Sequence, residues 1–235
     1  MKRTFALGVM LFVVGMGLHA VAQEKNAAKE ALQELHEFIG EWNSAGSNVS
    51  TSTPVKGLWK EKIEWGWRFK GDDSWMAVKF ADSKLFKEGD LKYDAKEKKY
   101  VLSLVALDGK ARVYKGDLKK GRLDLDSVNP ETKETNRISL TTAAEGVRLL
   151  YYVDRKAEGA TIWVKEYKGE ANKVGESLAK AEKKNLCVVT GGLGTSAVSH
   201  KGVTYYVCCS GCRDAFNDNP EKYIKEWEEK KKKMK

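Results

Sequence analysis

Histidine is scarce in this chain. The three residues are His19, His36 and His200, and the long β-patterned stretch between the last two holds none. No Ser/His/Asp set can be assembled there. Acidic pairs of the same stretch, such as Asp72 with Asp73, fall in turns, where Asp is ordinarily used. No reaction centre emerges, and the expectation is a protein that is not an enzyme. Cysteine is confined as well, with all four residues between Cys187 and Cys212. Beyond Leu18 no apolar run approaches the roughly 20 residues that span a bilayer. Basic residues do not cluster with aromatics. Lysines alternate with acidic residues despite a formal charge of +9, and part of the excess is the tail Lys230-Lys231-Lys232-Lys233-Met234-Lys235. Nucleic acid is therefore not expected as a partner.

Export is what the first residues indicate. Lys2 and Arg3 precede an apolar run from Phe5 to Leu18, and Ala20-Val21-Ala22 is a small-x-small cleavage pattern. That is a secretory signal peptide over 1–22, cut before Gln23. No cysteine follows the cut to carry a lipid, so no stable membrane anchor is expected. The mature protein would be periplasmic or secreted.

From there the pattern predicts a leading helix, Glu24 to Ile39, on the apolar stripe Ala28, Leu32, Leu35, Phe38 and Ile39. Ser44 to Pro54 is Ser/Thr-rich and reads as a loop. From Trp59 the period becomes two. Trp59, Ile63, Trp65, Trp67 and Phe69 share one face, interrupted by Glu61. About nine or ten strands follow at short, regular spacing, through Tyr167. They include a strong hairpin signal at Asp108-Gly109. The fold class is mainly β, an antiparallel barrel or sandwich over 23–167. Residues 168–186 read as a linker, partly helical from Glu176 to Lys184, before a cysteine module over 187–227 and a basic tail over 228–235.

At the entry to the strands stands Phe38-Ile39-Gly40-Glu41-Trp42. A Gly-x-Trp ahead of a meandering antiparallel sheet resembles the lipocalin-like, calycin-type barrels, in which the Trp packs across the closed end. The resemblance implies a closed barrel and a small apolar ligand in its interior. Six tryptophans, Trp42, Trp59, Trp65, Trp67, Trp75 and Trp163, would either wall such a pocket or simply fill the barrel. One related barrel family binds haem through a histidine, and the strands here supply none.

The cysteine module reads as a β-hairpin from Val198 to Val207 around Lys201-Gly202, then Cys208-Cys209-Ser210-Gly211-Cys212, then a helix carrying Phe216. A helix start favours a thiolate at Cys212. The Cys209-x-x-Cys212 spacing lets one turn aim two sulfurs at one ion. Cys187 would supply a third ligand and His200 an extra one. Thiolate sulfur selects soft ions, Cu(I) or Zn(II). The order Cys187, Cys208, Cys212, with Tyr205-Tyr206 before and Phe216 and Pro220-Glu221-Lys222-Tyr223 after, resembles the YHS/TRASH heavy-metal modules. That resemblance implies a small ββα metal-binding unit. Val188 replaces the proline frequent in that family, and Cys209 is an additional cysteine, so the spacing leaves open which of Cys208 and Cys209 faces the metal. Disulfide pairing of Cys187 and Cys212 with Cys208 and Cys209 is the alternative in an oxidising compartment. The cysteines would then be a staple on a ligand-carrying barrel. Thiol redox exchange is a third reading.

Overall fold

The computed structural model describes residues 24–50, 53–176 and 185–233. The expected signal peptide and most of the partly helical linker segment lie outside them. Among the described residues no helix is long and apolar enough to cross a membrane.

Ten antiparallel strands close into a barrel by joining neighbour to neighbour in chain order, with β1 sealing against β10. The strands are β1 (Gly40–Asn48), β2 (Leu58–Lys70), β3 (Asp73–Ala81), β4 (Phe86–Asp94), β5 (Lys99–Ala106), β6 (Ala111–Lys119), β7 (Arg122–Val128), β8 (Thr135–Ala143), β9 (Arg148–Lys156) and β10 (Val164–Lys173). Of the antiparallel barrel or sandwich expected from the alternating pattern, the closed barrel is present. A leading helix, α1 (residues 24–33), runs ahead of it. This helix ends earlier than its apolar stripe predicts, because the chain turns at residues 34–35 and forms a 3-10 turn over His36–Phe38. Leu32, Leu35 and Phe38 are nonetheless buried, so the stripe is met by a bent segment.

Two boundaries differ from the sequence expectation. Ser44 to Asn48 is strand, where a loop was expected, and β10 continues six residues past Tyr167 into the expected linker. The reason is visible inside the barrel. On β1 and β10, Gly46 and Gly169 are directly paired. A Cβ on Gly46 would lie 2.1 Å from the Trp59 ring, and one on Gly169 would lie 1.8 Å from the Tyr151 ring. Each ring therefore lies flat over bare backbone. Small residues read as loop because their own side chains have no strand preference, yet here the neighbours' rings supply the missing packing.

Both rings converge on Glu61, which does not break the inward face of β2 but completes it. Glu61 is buried and accepts hydrogen bonds from Trp59 Nε1 at 3.0 Å, Tyr151 Oη at 2.5 Å and Ser44 Oγ at 3.3 Å. A buried carboxylate is tolerable only when its lone pairs are used in this way. Trp42, Trp59, Trp65 and Trp67 are all buried, so on the β1–β2 side aromatics fill the barrel.

The two ends of the barrel differ. At the closed end Trp42 donates to the Phe38 carbonyl at 2.8 Å, and Lys173 Nζ lies over its ring at 4.8 Å and donates to the Glu37 carbonyl at 2.9 Å. Tyr100 Oη donates to the Ala31 carbonyl at 2.9 Å and fixes α1 across that end. The opposite end carries the exposed apolar residues Val49, Leu58, Leu107, Val128 and Ile162 on or beside its loops. The same end holds a cavity of about 220 Å3 lined by Leu85, Phe86, Leu104, Tyr114 and Tyr167, with Arg112 among its polar groups.

Replacing Gly169 by Ala forces a methyl into the Tyr151 ring. It is expected to lower the stability measured by denaturant unfolding by about 1–3 kcal/mol. On the outer wall Asp154 is buried, and its Oδ1 has no hydrogen-bond partner. Burial pushes this carboxyl above its ordinary value, against the pull of Arg122, Lys165 and Arg137. An acid raised in the folded state contributes stability below its unfolded value that is lost as pH rises through the folded value. Asp154→Asn should therefore exceed the wild type in thermal stability at neutral pH, by about 1 kcal/mol. The gap should close once the pH falls below 3.8, the ordinary Asp value.

Candidate metal centre

Beyond the barrel the chain forms a short hairpin, β11 (Ser196–His200) and β12 (Val203–Val207), and two helices, α2 (Ser210–Asp218) and α3 (Pro220–Lys233). The hairpin turns at Lys201-Gly202, both at positive φ. A knuckle precedes it. Cys187 N donates to the Gly192 carbonyl at 2.7 Å, and Gly191 N donates back to the Cys187 carbonyl at 2.8 Å. Val188 N then bonds the Tyr206 carbonyl at 2.8 Å. These bonds tie the knuckle to β12 and bring Cys187 beside the end of that strand.

Three sulfurs meet at this point. The Sγ atoms of Cys187, Cys208 and Cys212 lie within 4.8 Å of one another, and Cys208 and Cys212 are 3.5 Å apart. All three residues are buried, Cys187 and Cys212 completely. The Thr190 hydroxyl is 3.6 Å from Cys208 Sγ. All four cysteines are free thiols. Three cysteines this close can hold a metal ion.

Cys209 is placed differently. It is the N-cap of α2, in extended backbone at φ −161°, and is the one cysteine with partial exposure. Only one of the adjacent pair Cys208 and Cys209 converges with Cys187 and Cys212. Cys208 does. Cys209 instead accepts the Trp67 backbone N–H of β2 at 3.3 Å, with Cys208 and Cys212 still beside it. His200 lies outside the three-sulfur cluster. Its ring stands edge-on to Phe216 at 6.4 Å, and its buried Nε2 has no hydrogen-bond partner.

Proton affinities follow this arrangement. Cys187 is held well below the ordinary thiol range by hydrogen bonds from Cys208 and Cys212. Cys208 is raised by the same bond to Cys187. Cys212 is raised by burial above all, which corrects the expectation that the helix start would favour its thiolate. The lowered thiol at the helix start is Cys209, beside the thiols of Cys208 and Cys212 and the amides of Cys212 and Trp67. The cluster therefore keeps negative charge on some sulfurs and protons on others, and an incoming cation would displace those protons.

The centre leans on the barrel. A Cβ on Gly211 would sit 1.8 Å from the Trp67 carbonyl oxygen, so the first turn of α2 lies directly on the β2 backbone. Phe69 meets Tyr223 edge-on at 6.4 Å, and Lys29 of α1 pairs with Glu226 of α3 at 3.1 Å. Cys187, Val207, Cys212 and Phe216 belong to the same continuous apolar cluster as Trp65 and Trp67. Nothing in the sequence pattern marks Trp67 as a neighbour of the thiols. Only the Gly211 position, beside two cysteines, hints at a close backbone approach.

No family model matches the chain, and neither does any curated protein. Among solved structures, the crystal structure of Rv2717c from M. tuberculosis aligns over 61% of this chain and 96% of its own, at 14% identity and a TM-score of 0.39.

Gly211→Ala is expected to lift α2 from the barrel. In limited proteolysis, the hairpin and helices should be cut much faster than in the wild type while the barrel stays resistant, at a cost of about 1–3 kcal/mol or more.

Proposed function

We propose that this is an exported, non-enzymatic binding protein that holds one soft metal ion on Cys187, Cys208 and Cys212. The observation that carries the reading is the convergence of three buried sulfurs drawn from three separate elements: a knuckle, a strand end and a helix. These are also the three positions at which the chain resembles the YHS/TRASH modules. Three thiolates in an apolar shell suit a soft ion of low coordination number, and Cu(I) fits better than Zn(II). Zinc in a structural site takes four ligands, and here Cys209 is turned to Trp67 while His200 stands against Phe216. Periplasmic or secreted placement follows from the leader sequence alone.

A second reading keeps the barrel as the working part. The cavity at its open end, with an apolar lining and Arg112 at hand, would take a small apolar ligand, and the cysteines would be a staple.

One preparation separates the two. Mature protein purified from an exporting host should show one ion per chain by native mass spectrometry. Substituting Ser at Cys187, Cys208 or Cys212 should each abolish that mass. Four cysteines recovered as two disulfides with no ion bound would overturn the metal reading. A retained organic mass that survives all three substitutions would favour the barrel.

A further inference from the structure

We infer that Cys209 is the exchange ligand of the centre, the sulfur through which the ion enters and leaves. This rests on the metal-binding reading above and goes on to assign a route to the site.

The three converging sulfurs are sealed. Cys187 and Cys212 have no exposure and Cys208 has 6%. An ion carried by another molecule cannot reach them directly. A naked soft cation is also a poor intermediate, because thiolate-bound metals move by attack of one sulfur before another leaves. Such a transfer needs a sulfur that touches both solvent and the cluster. Cys209 alone has that position. It is partly exposed, lies beside the thiols of Cys208 and Cys212, and is absent from the set that converges with Cys187.

The barrel keeps that sulfur ready. The Trp67 N–H holds Cys209 Sγ at the wall from 3.3 Å. The adjacent barrel residue is Gly66, where a Cβ would stand 3.9 Å from the sulfur. Gly66 is itself buried, so the missing side chain makes room for Cys209 against the barrel wall. Gly66 has ordinary rather than left-handed backbone, and the tightest contact of an added Cβ would be the flexible Arg68 guanidinium at 3.3 Å. Backbone geometry therefore does not demand glycine here.

The transfer balances without any redox change. Cys209 forms a bond to the metal of a thiol- or nitrogen-ligated donor complex as one donor bond breaks. Cys208, Cys212 and Cys187 then bond in turn as the remaining donor bonds and, last, the Cys209 bond break, and the protons held on Cys208 and Cys212 pass to the departing donor groups.

The test is stopped-flow uptake of Cu(I) from its bicinchoninate complex by the full mature chain. Cys209→Ser should slow uptake about tenfold or more, with one ion per chain still bound at equilibrium. Gly66→Leu keeps all four thiols and wedges a side chain against Cys209, and should slow uptake in the same direction. If both variants load at the wild-type rate, the exchange role is overturned and the three-sulfur site stands. If Cys209→Ser no longer retains an ion, Cys209 is a resident ligand, and the exchange role is overturned again. If the wild type takes up no ion, the metal-binding reading itself fails.

Discussion

Everything in this molecule is arranged around the closure of β1 onto β10. That seam pairs two glycines, Gly46 and Gly169, and the absent side chains leave room for the rings of Trp59 and Tyr151 to lie on the backbone. Both rings then donate to Glu61. A closed sheet has no free edge to satisfy, but closure this tight requires that the interior be filled without bulk from the seam itself. The glycine pair and the buried carboxylate are one solution to that requirement. Substituting either glycine would push a ring away from Glu61 and leave buried polar atoms without partners, which costs more than the lost packing alone.

A rigid, filled wall is what the cysteine centre needs. The end of β2 extends beside the closed end of the barrel, where Trp67 offers its carbonyl to the close approach of Gly211 and its N–H to Cys209. The small ββα unit is too short to bury three thiols on its own. It does so by sharing one apolar cluster with the barrel and α1. Barrel and cysteine centre are therefore mechanically joined, and any ion that orders the sulfurs also orders the contact with β2. The opposite end, with its apolar rim and its cavity, is separated from that centre by the length of the strands.

Much of this was legible in the residues. Alternation along β2, β5 and β9, the turn at Asp108-Gly109 and the Gly-x-Trp entry together indicate a meandering barrel, because inward and outward side chains alternate with period two. Spacing alone also brings out Cys187, Cys208, Cys209 and Cys212 as a group. What was not legible has a common cause. The strand at Ser44 to Asn48 lacks β-forming side chains, and its stability comes from neighbouring rings. Glu61 reads as an interruption because its donors, Ser44, Trp59 and Tyr151, lie on three different strands. The end of α1 is set by the turn that carries the chain to the barrel rather than by its apolar stripe.

The sequence by itself determined the fold class and the grouping of the four sulfurs, since these depend on local periodicity and residue type. Only the tertiary structure decided that Cys208 faces Cys187 and Cys212 while Cys209 faces Trp67. The two adjacent cysteines offer the same chemistry, and which of them joins the converging set depends on packing against a strand some 140 residues earlier in the chain.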